Sequence, residues 1–309
     1  MPDRSSLRVC TFAGASSLPL FVAIEHGQFE AVALDVELVA TRSSDELMTG
    51  LVEGRFEIVH AAPDNFISWR DRTRAPIVAW IGGTSGPISL VGAPEVDTVD
   101  DLRGREIAVD AVASGFVSVL RKILRQAGLG PDDVTLVPIG ATNLRFEALR
   151  EGRTAATMLT LPWSILAAEA GCHVLADQRE VLPRLQGSCA ASLVPWLEAS
   201  PRTADAYLRA LIAALTWAYM PGHETAIRDL IAARYDIENR HAERVRAALI
   251  DPVAGWPPSA YIDPLGLDLV CQLRAENGQP PAQPTGAYYT LEPYGRVLGS
   301  ALVAASSQS

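Results

Sequence analysis

The stretch EIVHAAPDNFISWR, residues 57–70, places His60, Asp64, Asn65 and Arg70 within eleven positions. A histidine can move protons near neutral pH. A guanidinium can clamp an oxyanion with paired donors. A neighbouring carboxylate and amide can hold the polar edge of a ligand. A structural reading stands beside this chemical one. Pro63 suits the first position of a helix, and Asp64 and Asn65 suit its first turn, where backbone N–H groups and the helix dipole favour acceptors. Arg70 then falls two turns along, on a face that can be simply solvated. The stretch alone leaves both readings open.

Other candidates are small and polar. Gly14, Ser16 and Ser17 follow the first apolar strand, CTF, and Ser43 and Ser44 follow the second, LDVELVA. Ser114, Gly115 and Phe116 stand in DAVASGF, Thr142 in GATNLR, and Thr160 and Trp163 in TLPW. Hydroxyls and free N–H groups there can hold ligand oxygens, and Phe116 and Trp163 can wall off a flat ligand. GGTSG at 82–86 lacks the lysine of a phosphate-binding loop. His26, His173, His223 and His241 are scattered without metal-ligand spacing, and neither GxSxG nor HExxH occurs. No cofactor and no metal are expected. Cys10, Cys172, Cys189 and Cys271 form no CxxC pair and read as buried thiols, with a Cys172–Cys189 disulfide left open.

The elements that must position these residues alternate. LRVCTF, LDVELVA, FEIVHA, IVAWIGG and ISLVGA read as strands, and LPLFVAIEHGQF (18–29), RSSDELMTGLVEGR and PDNFISWRDR as helices between them. A second series runs from strand 105–110 through helix 115–128, strand 134–140, helix 142–151 and strand 155–160 to the strands CHVLADQ and GSCAASLV (187–194). Such alternation specifies mainly parallel sheets covered by helices. Helices follow from residue 199, with a last one within 260–278. In open α/β sheets ligands bind beyond the carboxyl ends of strands. The loops 13–17, 41–44, 60–65, 83–87, 110–116, 140–142 and 160–164 are therefore predicted to face the ligand.

Composition narrows the partners. The chain has 309 residues, which suggests about two domains. Its net charge of −10 disfavours nucleic acid or an anionic membrane as the main partner. No apolar run reaches the length of a membrane span. The N-terminus, MPDRSSLRVC, shows neither an apolar signal core nor a cleavage site.

Four segments resemble, in order, the periplasmic substrate-binding proteins of the nitrate/sulfonate/taurine ABC importers and their NMT1/THI5-like relatives. They are SLPLFVAIEHGQFEAVALDVELV, SSDELMTGLVEGRFEIVHAAPDN, VDTVDDLRGREIAVDAVASGF and LREGRTAATMLTLPW. The resemblance implies a two-lobe α/β fold of the type-II periplasmic-binding-protein kind with a helical C-terminal extension. Residues 1–93 and 189–309 would form lobe one and 94–188 lobe two, with a small organic ligand held between them. It also implies a monomer that works with an ABC permease, in the periplasm if a signal peptide has been removed and in the cytoplasm otherwise.

The alternative is a cofactor-free enzyme on the same fold. A biphenyl-sulfinate desulfinase resembles this chain and pairs a His at the end of the third strand with an Arg ten positions on, the spacing of His60 and Arg70. That enzyme's nucleophilic Cys falls at Gly14 here, so its chemistry has no thiolate.

Overall fold

The computed structural model describes residues 4–12, 14–41, 43–85, 88–112, 114–252 and 255–299. The predicted loops 13–17, 41–44, 83–87 and 110–116 each include residues outside this set.

Strands β1 (Ser5–Phe12), β2 (Leu34–Thr41), β3 (Ile58–Ala61) and β4 (Ile77–Gly82) belong to one five-stranded sheet; β5 (Ile88–Gly92), β6 (Glu106–Val109), β7 (Thr135–Pro138), β8 (Ala156–Thr160) and β9 (His173–Asp177) form the other. The chain then returns, and β10 (Cys189–Leu193) enters the first sheet, whose order is β2-β1-β3-β10-β4. The second sheet runs β7-β6-β8-β5-β9. β1 is parallel to β2 and β3, and β6 is parallel to β7 and β8. Each crossing strand runs against its neighbours: β10 against β3 and β4, β5 against β8 and β9.

Strands β3 and β5, inside their sheets, and the edge strand β4 are buried along their whole length. Continuous Val/Ile-rich runs are what a sheet covered on both faces requires. The helix predicted over 18–29 is divided at Gly27, whose φ of 64° ends Leu18–Glu25 before Gln28–Ala31 resumes.

Two boundaries differ from expectation. β5 was expected in lobe one, within residues 1–93, but it fills a slot between β8 and β9, so the first crossing between sheets precedes it. Most of the tail packs on the first core, but part of it crosses to the second. Helix Pro264–Glu276 packs against helices Pro63–Thr73 and Gly115–Gln126, and its Val270, Cys271 and Leu273 join the second apolar core with Tyr288. Interlocking runs the other way too: Leu161 and Ile165, beyond β8, belong to the first core, and Ile67 to the second.

Candidate functional site

Asp64 and Arg274 are a buried charged pair where the cleft meets helix Pro264–Glu276. Helix Pro63–Thr73 begins with Pro63, carries Asp64 in its first turn and Arg70 and Arg72 in its last, as the helix dipole favours. Across the cleft, Ser114 caps helix Gly115–Gln126 by accepting from the Val117 N–H at 3.2 Å, and donates to Asp110 at 2.5 Å. The Asp64 carboxylate accepts from Arg274 Nη1 at 2.5 Å and from the Gly115 backbone N–H. Burial pushes the Asp64 carboxyl up, while Arg274 and the Gly115 N–H pull it back. A Cβ on Gly115 would stand 2.8 Å from the Cβ of Asp64, so glycine is what allows this approach.

A cavity of about 40 Å³ opens beside this pair. Ala62, Pro63 and Asp64 line it from one lobe, and Ile88, Phe116, Ser118 and Val119 from the other. Gln186 and Gly187 close it along the second crossing, and Val270, Leu273 and Arg274 along the bridging helix. The Gln186 amide is fully engaged. It donates to the carbonyls of Ser188 (2.6 Å) and Gly83 (3.3 Å) and accepts from the Asp263 N–H (2.8 Å), tying the two crossings and the bridging helix together. Arg274, only 6% exposed, has no partner for its Nε–H among the described residues.

Of the residues proposed from sequence, Asp64, Gly115 and Phe116 meet at this cavity, and Ser114 stands next to them. His60 does not. Residues alternate across a strand, and in β3 this turns His60 toward helix Pro201–Tyr219, where its Nε2 lies 2.8 Å from the Tyr207 hydroxyl. Burial lowers the His60 pKa to about 3, so the ring is neutral. Arg70 donates to the Ile77 carbonyl at 2.7 Å and lies over the Tyr288 ring, anchoring β4 and the tail. The proposed catalytic pair therefore serves two separate structural contacts.

The remaining candidates are spread over local roles. Ser17 bonds Thr11 Oγ1 and the Phe12 carbonyl, the Gly14 carbonyl accepts from the Ser17 N–H, and the Ser16 carbonyl accepts from the Trp256 indole. Ser43 caps helix Ser44–Val52, which begins at half-buried Ser44. Asn65 donates to the Ala62 carbonyl. Thr142 accepts from Arg145 at 3.1 Å, Thr160 ends β8, and half-buried Trp163 packs against Phe146 with ring centres 5.5 Å apart. All four cysteines are free and buried, and burial pushes the Cys10 thiol up to about 11.

Sequence reasoning missed Arg274, Gln186 and Gln178, the last of which also lines the cavity and donates to the Leu182 carbonyl at 2.9 Å. One signal was present: Leu267, Val270, Cys271 and Arg274 follow one another at helical spacing, so an arginine completes an apolar stripe. Arg145 is likewise 1% exposed, bonded to the carbonyls of Gly140 and Met158 and to Thr142. Among the described residues no group of three or more His, Cys, Asp or Glu is placed to hold a metal, and no helix is long and apolar enough to cross a membrane.

Two α/β lobes, exchanged crossing strands and a cavity between them define the two-lobe periplasmic-binding-protein fold. The chain belongs to the NMT1-like family, whose model matches residues 1–234. Solved structures share the fold at low identity. The ligand-binding component of an ABC-type import system from Staphylococcus aureus, with zinc bound, is 13% identical over 96% of this chain and 100% of its own, with a TM-score of 0.83. The periplasmic nitrate-binding protein NrtA from Synechocystis PCC 6803 is 12% identical over 98% and 90%, with a TM-score of 0.82. The alkanesulfonate-binding protein SsuA from Xanthomonas axonopodis pv. citri, bound to MOPS, is 17% identical over 94% and 100%, with a TM-score of 0.77. No curated protein matches in sequence.

Proposed function

We propose that this protein is the solute-binding component of an ABC importer, working in the periplasm, and that it holds a small organic molecule between its lobes and delivers it to a permease. The observation that carries the reading is the cavity itself, to which both lobes and the bridging helix contribute side chains. A ligand seated there touches both lobes only when they are closed, so its binding energy favours the closed state. Family membership and the roles of the structural neighbours support the same reading. An enzyme reading would need other residues, because His60 and Arg70 are engaged elsewhere.

The test is a thermal-shift screen with small acids, amides and heterocycles, followed by X-ray scattering with any hit. A ligand raises the melting temperature with concentration, by about 2.7 kcal/mol of stability at 100 times Kd, and holds the molecule at its closed dimension. Turnover of the hit, seen by mass spectrometry, contradicts a binding role.

A further inference from the structure

The charges around the cavity cancel. Asp64 and Arg274 are the charged residues among those lining it, and they are bonded to each other at 2.5 Å. The start of helix Gly115–Gln126 would ordinarily attract an anion, but the Asp64 carboxylate already meets the Gly115 N–H. The next charges outward are Asp110, which faces Asp64 with like sign, and buried Arg145, which feels Asp110 as its opposite charge. Two carboxylates thus face two guanidiniums, and no excess positive charge remains. The walls are otherwise mostly apolar: Pro63, Ile88, Phe116, Val119 and Val270. Donors remain unspent there: the Ser118 hydroxyl, and on Arg274 the Nη2 group and the buried Nε–H, have no hydrogen bond among the described residues.

We propose that the cavity takes an uncharged, largely apolar molecule bearing a hydrogen-bond acceptor, and that Asp64 is the residue that rejects anions. This rests on the binding reading above and names its ligand class. A carboxylate or sulfonate entering the cavity would bring a second negative charge against Asp64 with one guanidinium to share. Displacing Asp64 instead would leave a buried carboxylate unpartnered, which is the costly outcome for an ion pair. An amide or lactam oxygen meets neither obstacle. It can accept from Arg274 while its carbon skeleton covers the apolar wall.

Matched probes test this on the whole protein: propionamide against propionate, benzamide against benzoate, and methanesulfonamide against methanesulfonate. Each is titrated by calorimetry into the wild type and into Asp64→Asn. The neutral member of each pair is expected to bind the wild type about ten-fold tighter or more. Asp64→Asn leaves the Arg274 charge uncompensated and is expected to invert the order. Wild-type protein that binds propionate or methanesulfonate as well as the matching amide overturns the inference, whether or not the variant folds. Wild-type protein that binds none of the six at millimolar concentration also overturns it. The importer reading falls separately, only if the broader solute screen also yields no ligand.

Discussion

At the scale of single residues, the opening stretch separates into a histidine for the core and an aspartate for the cleft. His60 is 8% exposed and neutral, bonded to Tyr207. Its folded pKa is about 3, and an unfolded histidine titrates near 6.5. The unfolded chain therefore takes up a proton that the folded chain refuses. The stability this residue contributes is complete above pH 6.5 and is lost as pH falls from there toward about 3. Unfolding free energies from denaturant melts between pH 7 and pH 4 should fall with a slope approaching about 1.4 kcal/mol per pH unit from this group. His60→Gln should flatten that slope, taken as the difference between variant and wild type. Equal slopes would mean that His60 is protonated in the folded protein. Residue type alone could not have separated His60 from Asp64. Strand parity could not either, because β3 is buried along its whole length, and only the contact with Tyr207 shows which side His60 takes. Arg274 was hidden for a different reason. It lies 210 positions from Asp64, and no local pattern encodes a pairing over that distance.

At the scale of elements, strands and helices were legible because their signals are local. The Val/Ile runs, the Ser43 and Ser114 caps and the Gly27 stop each act within a few residues. What was not legible is which sheet a strand enters. ISLVG reads as a buried strand in either lobe, and only its pairing with β8 and β9 places it. The bridging helix raised the same difficulty, since an apolar stripe does not name the surface that covers it. Tertiary closeness is also what makes Gly82 critical. This residue ends β4, where the chain leaves the first sheet, and its N–H donates to the Ala260 carbonyl at 2.8 Å. A Cβ there would lie 2.0 Å from the Tyr261 carbonyl oxygen and 2.6 Å from the Ile262 Cα, both backbone atoms that cannot rotate away. Gly82→Ala should cost about 1–3 kcal/mol or more through overpacking. Gly286→Ala, where nothing lies within 4 Å, should change stability by less than about 0.5 kcal/mol. Urea melts of the two variants check this, and equal costs would contradict the packing at the crossing.

At the scale of the whole molecule, the lobes are closed on each other by contacts of unequal strength. On one side Glu169 of the second lobe pairs with Arg244 at 2.8 Å, both partly exposed, and lies 3.8 Å from His241, too far for a hydrogen bond. Exposed pairs of this kind contribute about 0–1 kcal/mol and are weakened by salt. The Ala15 N–H also reaches the Leu161 carbonyl, at 3.4 Å. The buried contact is the one between Asp64 and the bridging helix, with side-chain exposures of 12% and 7%. Removing Arg274 leaves Asp64 desolvated only while the lobes are closed, because opening returns water to its carboxylate. Arg274→Met should therefore disfavour the closed state by about 3–5 kcal/mol and enlarge the radius of gyration of the ligand-free protein. Asp64→Asn combined with Arg274→Met removes the stranded charge and should bring the molecule back toward the closed dimension. Glu169→Gln should leave the dimension nearly unchanged. X-ray scattering on the three variants distinguishes these outcomes. Opening by Glu169→Gln but not by Arg274→Met would move the control of closure from the buried pair to the exposed one. If the single and double variants opened equally, the lost packing of the Arg274 side chain, and not the stranded Asp64 charge, would be what opens the cleft.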